Sequence, residues 1–310
     1  MTAIRFLGGK GGVGKTTMAA ALAMAQSGRG HRTLVVSTDP AHSLGDVLAT
    51  PLGEEPAEVA PGLWAAEVSG EAQAHRRVAE ITEDAEQALP REVLPAVRRH
   101  LARAVDSPGT VEAALLDRLT ALVEQVGTEW DRLVVDSAPT GHMVRLLSLP
   151  ALLTPWVEGL ARQRERTRNV DRMAAGMLGK ADEAPDPLLD RLHARRRRLE
   201  WMRERLREDS LVHLVLVPEH LPLAETLRAA DTLVEAGMRL GTLIVNRVVP
   251  EGETGVLAGR LAQQSEVLQS LRERFSTPGM VHVPLLAGAL TTRPELADLA
   301  ALLDRAEVGT

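Results

Sequence analysis

The sequence predicts an α/β fold in which a mostly parallel sheet is flanked by helices, with a helical insert subdomain around its middle strand. Two observations carry this. Short apolar runs recur along the chain, and helical patterns separate them, which implies parallel pairing with right-handed crossovers. A third observation fixes where the sheet begins. Ile4, Phe6 and Leu7 run directly into Gly8-Gly9-Lys10-Gly11-Gly12-Val13-Gly14-Lys15-Thr16-Thr17, and an alanine-, leucine- and methionine-rich segment follows.

Taken in order, the first strand ends at that glycine-rich loop, and Thr16 to Gln26 reads as a helix stopped near Gly28 and Gly30. Leu34-Val35-Val36 is a second strand, closed by Ser37-Thr38-Asp39 and broken at Pro40. Leu63 to Val68 is a third. Residues 69 to 130 place Leu, Val and Ala at three- and four-residue spacing among Glu and Arg, a helical pattern punctuated by Pro90, Pro95 and Pro108. Arg132 to Asp136 is a strand. Residues 143 to 208 are helical again, with a joint at Gly179 to Pro187. The sheet resumes at His213 to Val217, Thr242 to Asn246 and Met280 to Pro284, and a helix from about Pro294 to Ala306 closes the chain. The whole of 1–310 is expected to be a single domain of this kind, with its helical insert at about 69–130 and 143–208.

Gly9 to Thr16 fits G-x-x-x-x-G-K-[ST] between a strand and a helix, which is the context that motif needs. Glycines bring backbone N–H groups close to phosphate oxygens without Cβ clashes, and the helix N-terminus adds unpaired N–H groups and partial positive charge. Gly9, Gly11, Gly12, Val13, Gly14, Lys15, Thr16 and Thr17 are thus the candidate phosphate cradle. Lys15 is placed to reach β- and γ-phosphates, and the Thr16 hydroxyl to ligate Mg²⁺. Composition sharpens this: of 36 basic residues only three are lysines, and two of them are Lys10 and Lys15. A compact ammonium is not interchangeable with guanidinium inside a phosphate cage.

Two strand ends complete the candidate site. Carboxyl ends of parallel strands face the ligand crevice. Asp39 there can position or deprotonate a water at the γ-phosphate; taken alone, the segment favours a turn in which Asp39 caps the next helix. In Arg132-Leu133-Val134-Val135-Asp136, three apolar residues before an aspartate suit a carboxylate that holds Mg²⁺ through water. The following Pro139-Thr140-Gly141 is expected to switch between two loop states.

The loop, Ser37 to Asp46 and Asp136 to Leu147 resemble the P-loop, switch I and switch II of the arsenical pump-driving ATPase family, most specifically in the Ser37-Thr38-Asp39-Pro40-Ala41-His42-Ser43-Leu44 and Ala138-Pro139-Thr140-Gly141-His142 runs. That family of deviant P-loop ATPases includes the cytosolic factor that targets tail-anchored membrane proteins. The resemblance spans the chain. It implies an ATP hydrolase with ATP and Mg²⁺ as cofactors, Asp39, Lys15 and Lys10 as catalytic residues, and Thr16 and Asp136 at the metal. It further implies that Asn246, Pro284 and Leu285 hold adenine. Lys10 in such a loop reaches the phosphates of a facing subunit, so a chain with one P-loop is expected to form a homodimer with two ATPs at the interface. Hydrolysis would then drive transport or delivery of a cargo, through a membrane pump partner or a membrane-protein client. A partition-type positioning ATPase is disfavoured by the long His-containing switch motifs.

The chain departs from that family in one respect. It has no cysteine, so neither thiolate binding of As(III) nor a Cys-x-x-Cys zinc at the dimer interface is available. His31, His42, His142 and His220 show no metal-ligand spacing and read as structural or switch residues. The 310 residues can bury a large core, and 45% hydrophobic and 25% charged residues are ordinary for a globular protein. Net charge of −6 gives no polyanion-binding signal, so no nucleic acid is expected. No signal peptide and no run of 18 apolar residues is visible, so a cytoplasmic address and no direct membrane insertion are expected.

The insert carries two further features. Residues 162–207 hold 14 Lys and Arg against 8 Asp and Glu, densest at Arg195 to Arg198. This is either a surface for an acidic partner, lipid headgroups or nucleic acid, or a solvated helix face paired i,i+4 through Glu200 and Glu204, and the solvated face is the expectation. No aromatic residues interleave with the basic ones as single-strand binding needs. Leu146, Leu147, Leu149, Leu152, Leu153, Trp156, Val157 and Leu160, followed by Met173, Met177 and Leu178, form an apolar stretch directly after the switch II run. It is either a core face or a groove for a client's transmembrane helix, which methionine suits.

Overall fold

The structure, a computed structural model, describes all residues except 1, 42, 89–93, 106, 178–185, 276–278, 287–292, 307, 309 and 310. Eight strands form one sheet in the order β3-β4-β2-β5-β1-β6-β7-β8. They are β1 Ile4–Gly8, β2 Thr33–Ser37, β3 Ala57–Ala60, β4 Leu63–Glu67, β5 Arg132–Asp136, β6 Ser210–Leu216, β7 Leu243–Val248 and β8 Met280–Pro284. All neighbours pair parallel except the edge strand β3, which is antiparallel to β4. The central strands are buried along nearly their whole length, as continuous Val/Leu/Ile runs in a sheet covered on both faces require.

Helix α1, Lys15–Gly28, packs its Met18, Leu22 and alanines against the sheet and against Leu296, Leu299 and Leu303 of the closing helix. Small alanines let α1 lie close to the strands. β1 sits where the order of the sheet reverses. The connection after it leads to β2 on one side, and the connection after β5 leads to β6 on the other. A ligand crevice is expected outside the carboxyl ends at that point. Gly8, Ser37, Asp136, Leu216, Val248 and Pro284 are the carboxyl ends on that edge.

The helical material is α3 Gly70–Ala88, α4 Leu94–Ala104 and α5 Pro108–Glu124 between β4 and β5, then α6 Thr140–Met177 and α7 Pro187–Asp209 between β5 and β6. Ser107 caps α5, its hydroxyl accepting from the Thr110 N–H, with Pro108 in the first turn. The chain divides into two compact units, Met1–Leu146 with Asp209–Thr310, and Leu147–Glu208. In the second unit α6 and α7 are joined by Arg164–Asp186 at 2.8 Å, His193–Glu165 at 3.2 Å and Arg196–Glu158 at 3.9 Å. No described helix is long and apolar enough to cross a membrane.

Three details differ from the sequence reading. β3 was not foreseen, because its Ala-Glu-Val-Ala is short, half polar and an edge. The helix that the turn reading of Asp39 sets next is α2, Leu44–Leu48, but its N-cap is Ser43 rather than Asp39, and its Gly45 N–H donates to the Glu67 carboxylate at 2.9 Å. Thr140 and Gly141 lie in the first turn of α6 rather than in a free loop. Most of the expected joint at Gly179 to Pro187 lies outside the described residues.

Candidate functional site

The loop between β1 and α1 bends on itself. Gly14 sits at the N-cap of α1 with φ +96°, a backbone that L side chains rarely adopt. A Cβ there would lie 2.6 Å from Asn246 Nδ2, and one on Gly9 would lie 2.2 Å from the Val215 carbonyl oxygen. Only glycine fits either position. Val13 is buried and faces the core beneath the loop.

Lys15 opens α1 with its side chain only 4% exposed. Its ammonium is held inside the loop, donating to the Lys10 carbonyl at 3.4 Å and lying 3.9 Å from Asp39 Oδ2. Asp39 follows β2. Its own N–H donates to Ser37 Oγ, and its Oδ1 accepts from the Ala41 N–H at 3.1 Å, so the carboxylate also shapes the turn. Asp39 thus shapes the turn and lies beside Lys15, but it does not cap the helix that follows, whose N-cap is Ser43.

Asp136 ends β5 and is completely buried. Ser37 Oγ donates to its Oδ2 at 3.0 Å, while Oδ1 has no hydrogen-bond partner among the described residues. Burial pushes its pKa up to about 6, against the opposing pull of the Thr16 and Ser37 hydroxyls and the Lys15 charge. The Thr16 hydroxyl shares a hydrogen bond with Ser43 Oγ at 3.1 Å. A buried carboxylate with an orphaned oxygen beside two hydroxyls is a donor set suited to a hard divalent cation. Among the described residues no group of three His, Asp or Glu could hold a metal, so phosphate oxygens would have to supply the remaining ligands.

The strand ends are stitched together. Thr38 N–H donates to the Asp136 carbonyl at 2.8 Å, Ser137 N–H and Oγ to the Leu7 carbonyl, and Thr140 N–H to the Gly9 carbonyl at 3.3 Å. These bonds tie the segment after β5 to the glycine loop and to the ends of β1 and β2.

Lys10 points elsewhere. Its ammonium lies 3.4 Å from Glu225 Oε1 on α8, His220–Glu235, at the edge of a cavity of about 440 Å³ also lined by Pro139, Gly141 and Arg228. Within one chain the two loop lysines do not converge.

Asn246 and the β8 end form a second part of the crevice. The ladder between β7 and β8 shifts register after Val245, and Arg247 takes φ +56°. Asn246 is buried. Its Nδ2 donates to the Val13 carbonyl at 2.8 Å and its Oδ1 accepts from the Arg247 N–H at 2.8 Å. Leu285 N–H donates to the Val248 carbonyl at 2.8 Å, which seats Pro284 and Leu285 beside β7. Together with Arg247, Val249 and Gln264, Leu285 lines a cavity of about 320 Å³. Asn246 thus touches the phosphate loop directly, a contact the sequence reading did not anticipate.

Of the histidines, His142 lines a third cavity of about 420 Å³ with Thr38, Glu112 and Met143, His31 contacts Arg132, and His220 contacts Glu266. His42 lies outside the described residues. Sequence reasoning passed over Ser37 and Ser43 as site residues although both stand in the quoted run. It also missed Glu225 and Gln264, which carry no local motif.

With this geometry in hand, comparison with known proteins is specific. A family model for the anion-transporting ATPase matches residues 2–305. The putative arsenical pump-driving ATPase 2 of Aquifex aeolicus is 31% identical over 280 residues, covering 90% of this chain and 91% of that one. The arsenical pump-driving ATPase of Acidiphilium multivorum is 32% identical over 95% of this chain, which spans only 50% of that longer protein. The ATPase get3 of Schizosaccharomyces japonicus is 30% identical over 90% of this chain and 85% of its own length.

Proposed function

This chain belongs to the anion-transporting ATPase family, and from that premise we propose a Mg²⁺-dependent ATP hydrolase that works as a cytoplasmic homodimer and couples hydrolysis to moving a cargo. The observation that carries the site assignment is the meeting of Lys15, Asp39 and Asp136 at the mouth of one glycine loop. The triphosphate lies along the loop amides, and the buried Lys15 ammonium exchanges its Asp39 and Lys10 contacts for phosphate oxygens. Asp39, released from Lys15, becomes free to accept a proton from an attacking water or to orient it. Thr16 and Asp136 hold the cation, which when bound neutralises charge on the phosphate oxygens. The base enters the cavity beside Leu285. Asn246 has one N–H and one lone pair of its side-chain amide left over, the complement of an adenine edge.

Lys10 completes the site of a second subunit. Its side chain is about a third exposed and borders a cavity at the surface, which supports an action across an interface. The test is sedimentation with Mg²⁺ and a non-hydrolysable ATP analogue. The wild type should dimerise and release phosphate from ATP, and Lys10→Ala should stay monomeric with depressed turnover. A wild type that remains monomeric while hydrolysing ATP would remove the composite site.

A second reading of the cargo rests on α6. Leu152 and Trp156 are each 65% exposed and Met173 71%, with Val170 between them on the same helix. Such a face supports delivery of a hydrophobic membrane-protein segment, with binding timed by the nucleotide. Efflux-pump coupling remains compatible with the family, but capture of As(III) by thiolates is excluded by the absence of cysteine.

A further inference from the structure

We infer that Gln264 is a positioning residue of the nucleobase pocket, holding the exit of β7 so that Asn246 can serve base and phosphate loop at once. The inference rests on the reading above that the cavity beside Leu285 takes the base.

Gln264 stands on α9, Ala258–Arg274, among the residues that helix buries: Gln264, Val267, Leu268 and Leu271. Their spacing is that of an apolar stripe, and Gln264 is its one polar member. A buried amide is costly unless both its halves are bonded. Here both are, and to one residue. Oε1 accepts from the Val249 N–H at 2.8 Å, and Nε2 donates to the Val249 carbonyl at 3.0 Å. The side chain behaves as a short strand laid against the chain just past the end of β7.

That segment needs holding. β7 has left register with β8 after Val245, and Arg247 is in the left-handed region, where a non-glycine residue persists only if its surroundings over-determine it. The Asn246 carboxamide oxygen fixes the Arg247 N–H from one side. The Gln264 clamp fixes Val249 from the other. Together with the Leu285 N–H on the Val248 carbonyl they hold the Arg247–Val248 step from both sides, and Arg247, Val249 and Gln264 all line the 320 Å³ cavity. The same geometry points Asn246 Nδ2 at the Val13 carbonyl, against Gly14. Releasing Val249 would let the loop slide, deform the pocket wall and turn Asn246 away. The phosphate cradle has its own supports in β1, β5 and β6 and would stand.

The experiment compares ATP with inorganic tripolyphosphate, each with Mg²⁺, by calorimetric titration of wild type, Gln264→Met and Gln264→Glu. Methionine keeps length and removes both hydrogen bonds. Glutamate keeps the acceptor for Val249 N–H and sets a carboxylate against the Val249 carbonyl. Wild type should bind ATP at least about ten-fold more tightly than tripolyphosphate. Each variant should lose about ten-fold for ATP, the loss of about one hydrogen bond between Asn246 and the base, and stay within about two-fold for tripolyphosphate. Unchanged ATP affinity in a variant that still binds tripolyphosphate would overturn the role of Gln264 alone. Equal binding of the two ligands by wild type would overturn the base pocket itself. Parallel weakening for both ligands in both variants would reduce Gln264 to a general fold residue and also overturn the inference.

Discussion

Asp136→Asn should stabilise the protein in the absence of nucleotide while abolishing its metal-dependent activity. The carboxylate is fully buried with one oxygen unpaired, and burial lifts its pKa from 3.8 to about 6. A raised pKa means that the folded state binds this proton more tightly than the unfolded chain. The group therefore favours folding below pH 3.8, and that advantage disappears as pH rises through 6. Above pH 6 the buried charge costs about 3 kcal/mol, from roughly two pKa units at 1.36 kcal/mol each. Asparagine still accepts from Ser37 but carries no charge. By urea denaturation without nucleotide the variant should gain up to about 3 kcal/mol at pH 7.5, shrinking below about 1 kcal/mol near pH 4. Metal-dependent phosphate release should be lost at every pH. A variant less stable than wild type at pH 7.5, or a gain independent of pH, would refute the claim that a strained carboxylate is stored here for a cation.

Asp39→Asn removes the negative partner of Lys15 and the acceptor for a water proton, and should cut turnover by about 10²–10³ with ATP affinity held or improved; wild-type turnover would sink the assignment. Gly14→Ala places a methyl 2.6 Å from Asn246 Nδ2 on a backbone at φ +96°, and should weaken ATP and tripolyphosphate binding together, about ten-fold or more, in the same titration. An effect confined to ATP would mean that the loop tolerates the methyl and only Asn246 moves.

Most of the sheet was legible because its strands are runs of Val, Leu and Ile closed by turn residues, and the phosphate loop because its spacing is rare and its flanks fit. What escaped was set by partners distant in sequence. His213 reads as an ordinary strand residue, yet it and Arg5 are buried on the paired strands β6 and β1, two positions apart in register, and burial holds the His213 pKa down to about 4. β3 was invisible because a four-residue edge strand has too little apolar surface to mark itself. Asn246 was read as a base contact from resemblance; its bond to Val13 depends on how β7 packs beside the loop, which no local pattern encodes. Gln264 was hidden by the opposite problem, a polar residue on an apolar stripe, legible only once the stripe is known to face Val249.

The two loop lysines differ in what their present partners oppose. The Lys10–Glu225 pair spans 3.4 Å with both side chains about a third exposed. Pairs of that kind contribute at most about 1 kcal/mol, less than a charge-assisted contact to phosphate, so the pair would not oppose the proposed move of Lys10 to a second subunit's nucleotide. The Lys15–Asp39 contact is different, because Lys15 is buried and its ammonium has few alternatives. On the proposed roles, a triphosphate would compete with Asp39 for the Lys15 ammonium, so that arrival of the phosphates and loosening of the carboxylate proposed to direct water would be linked.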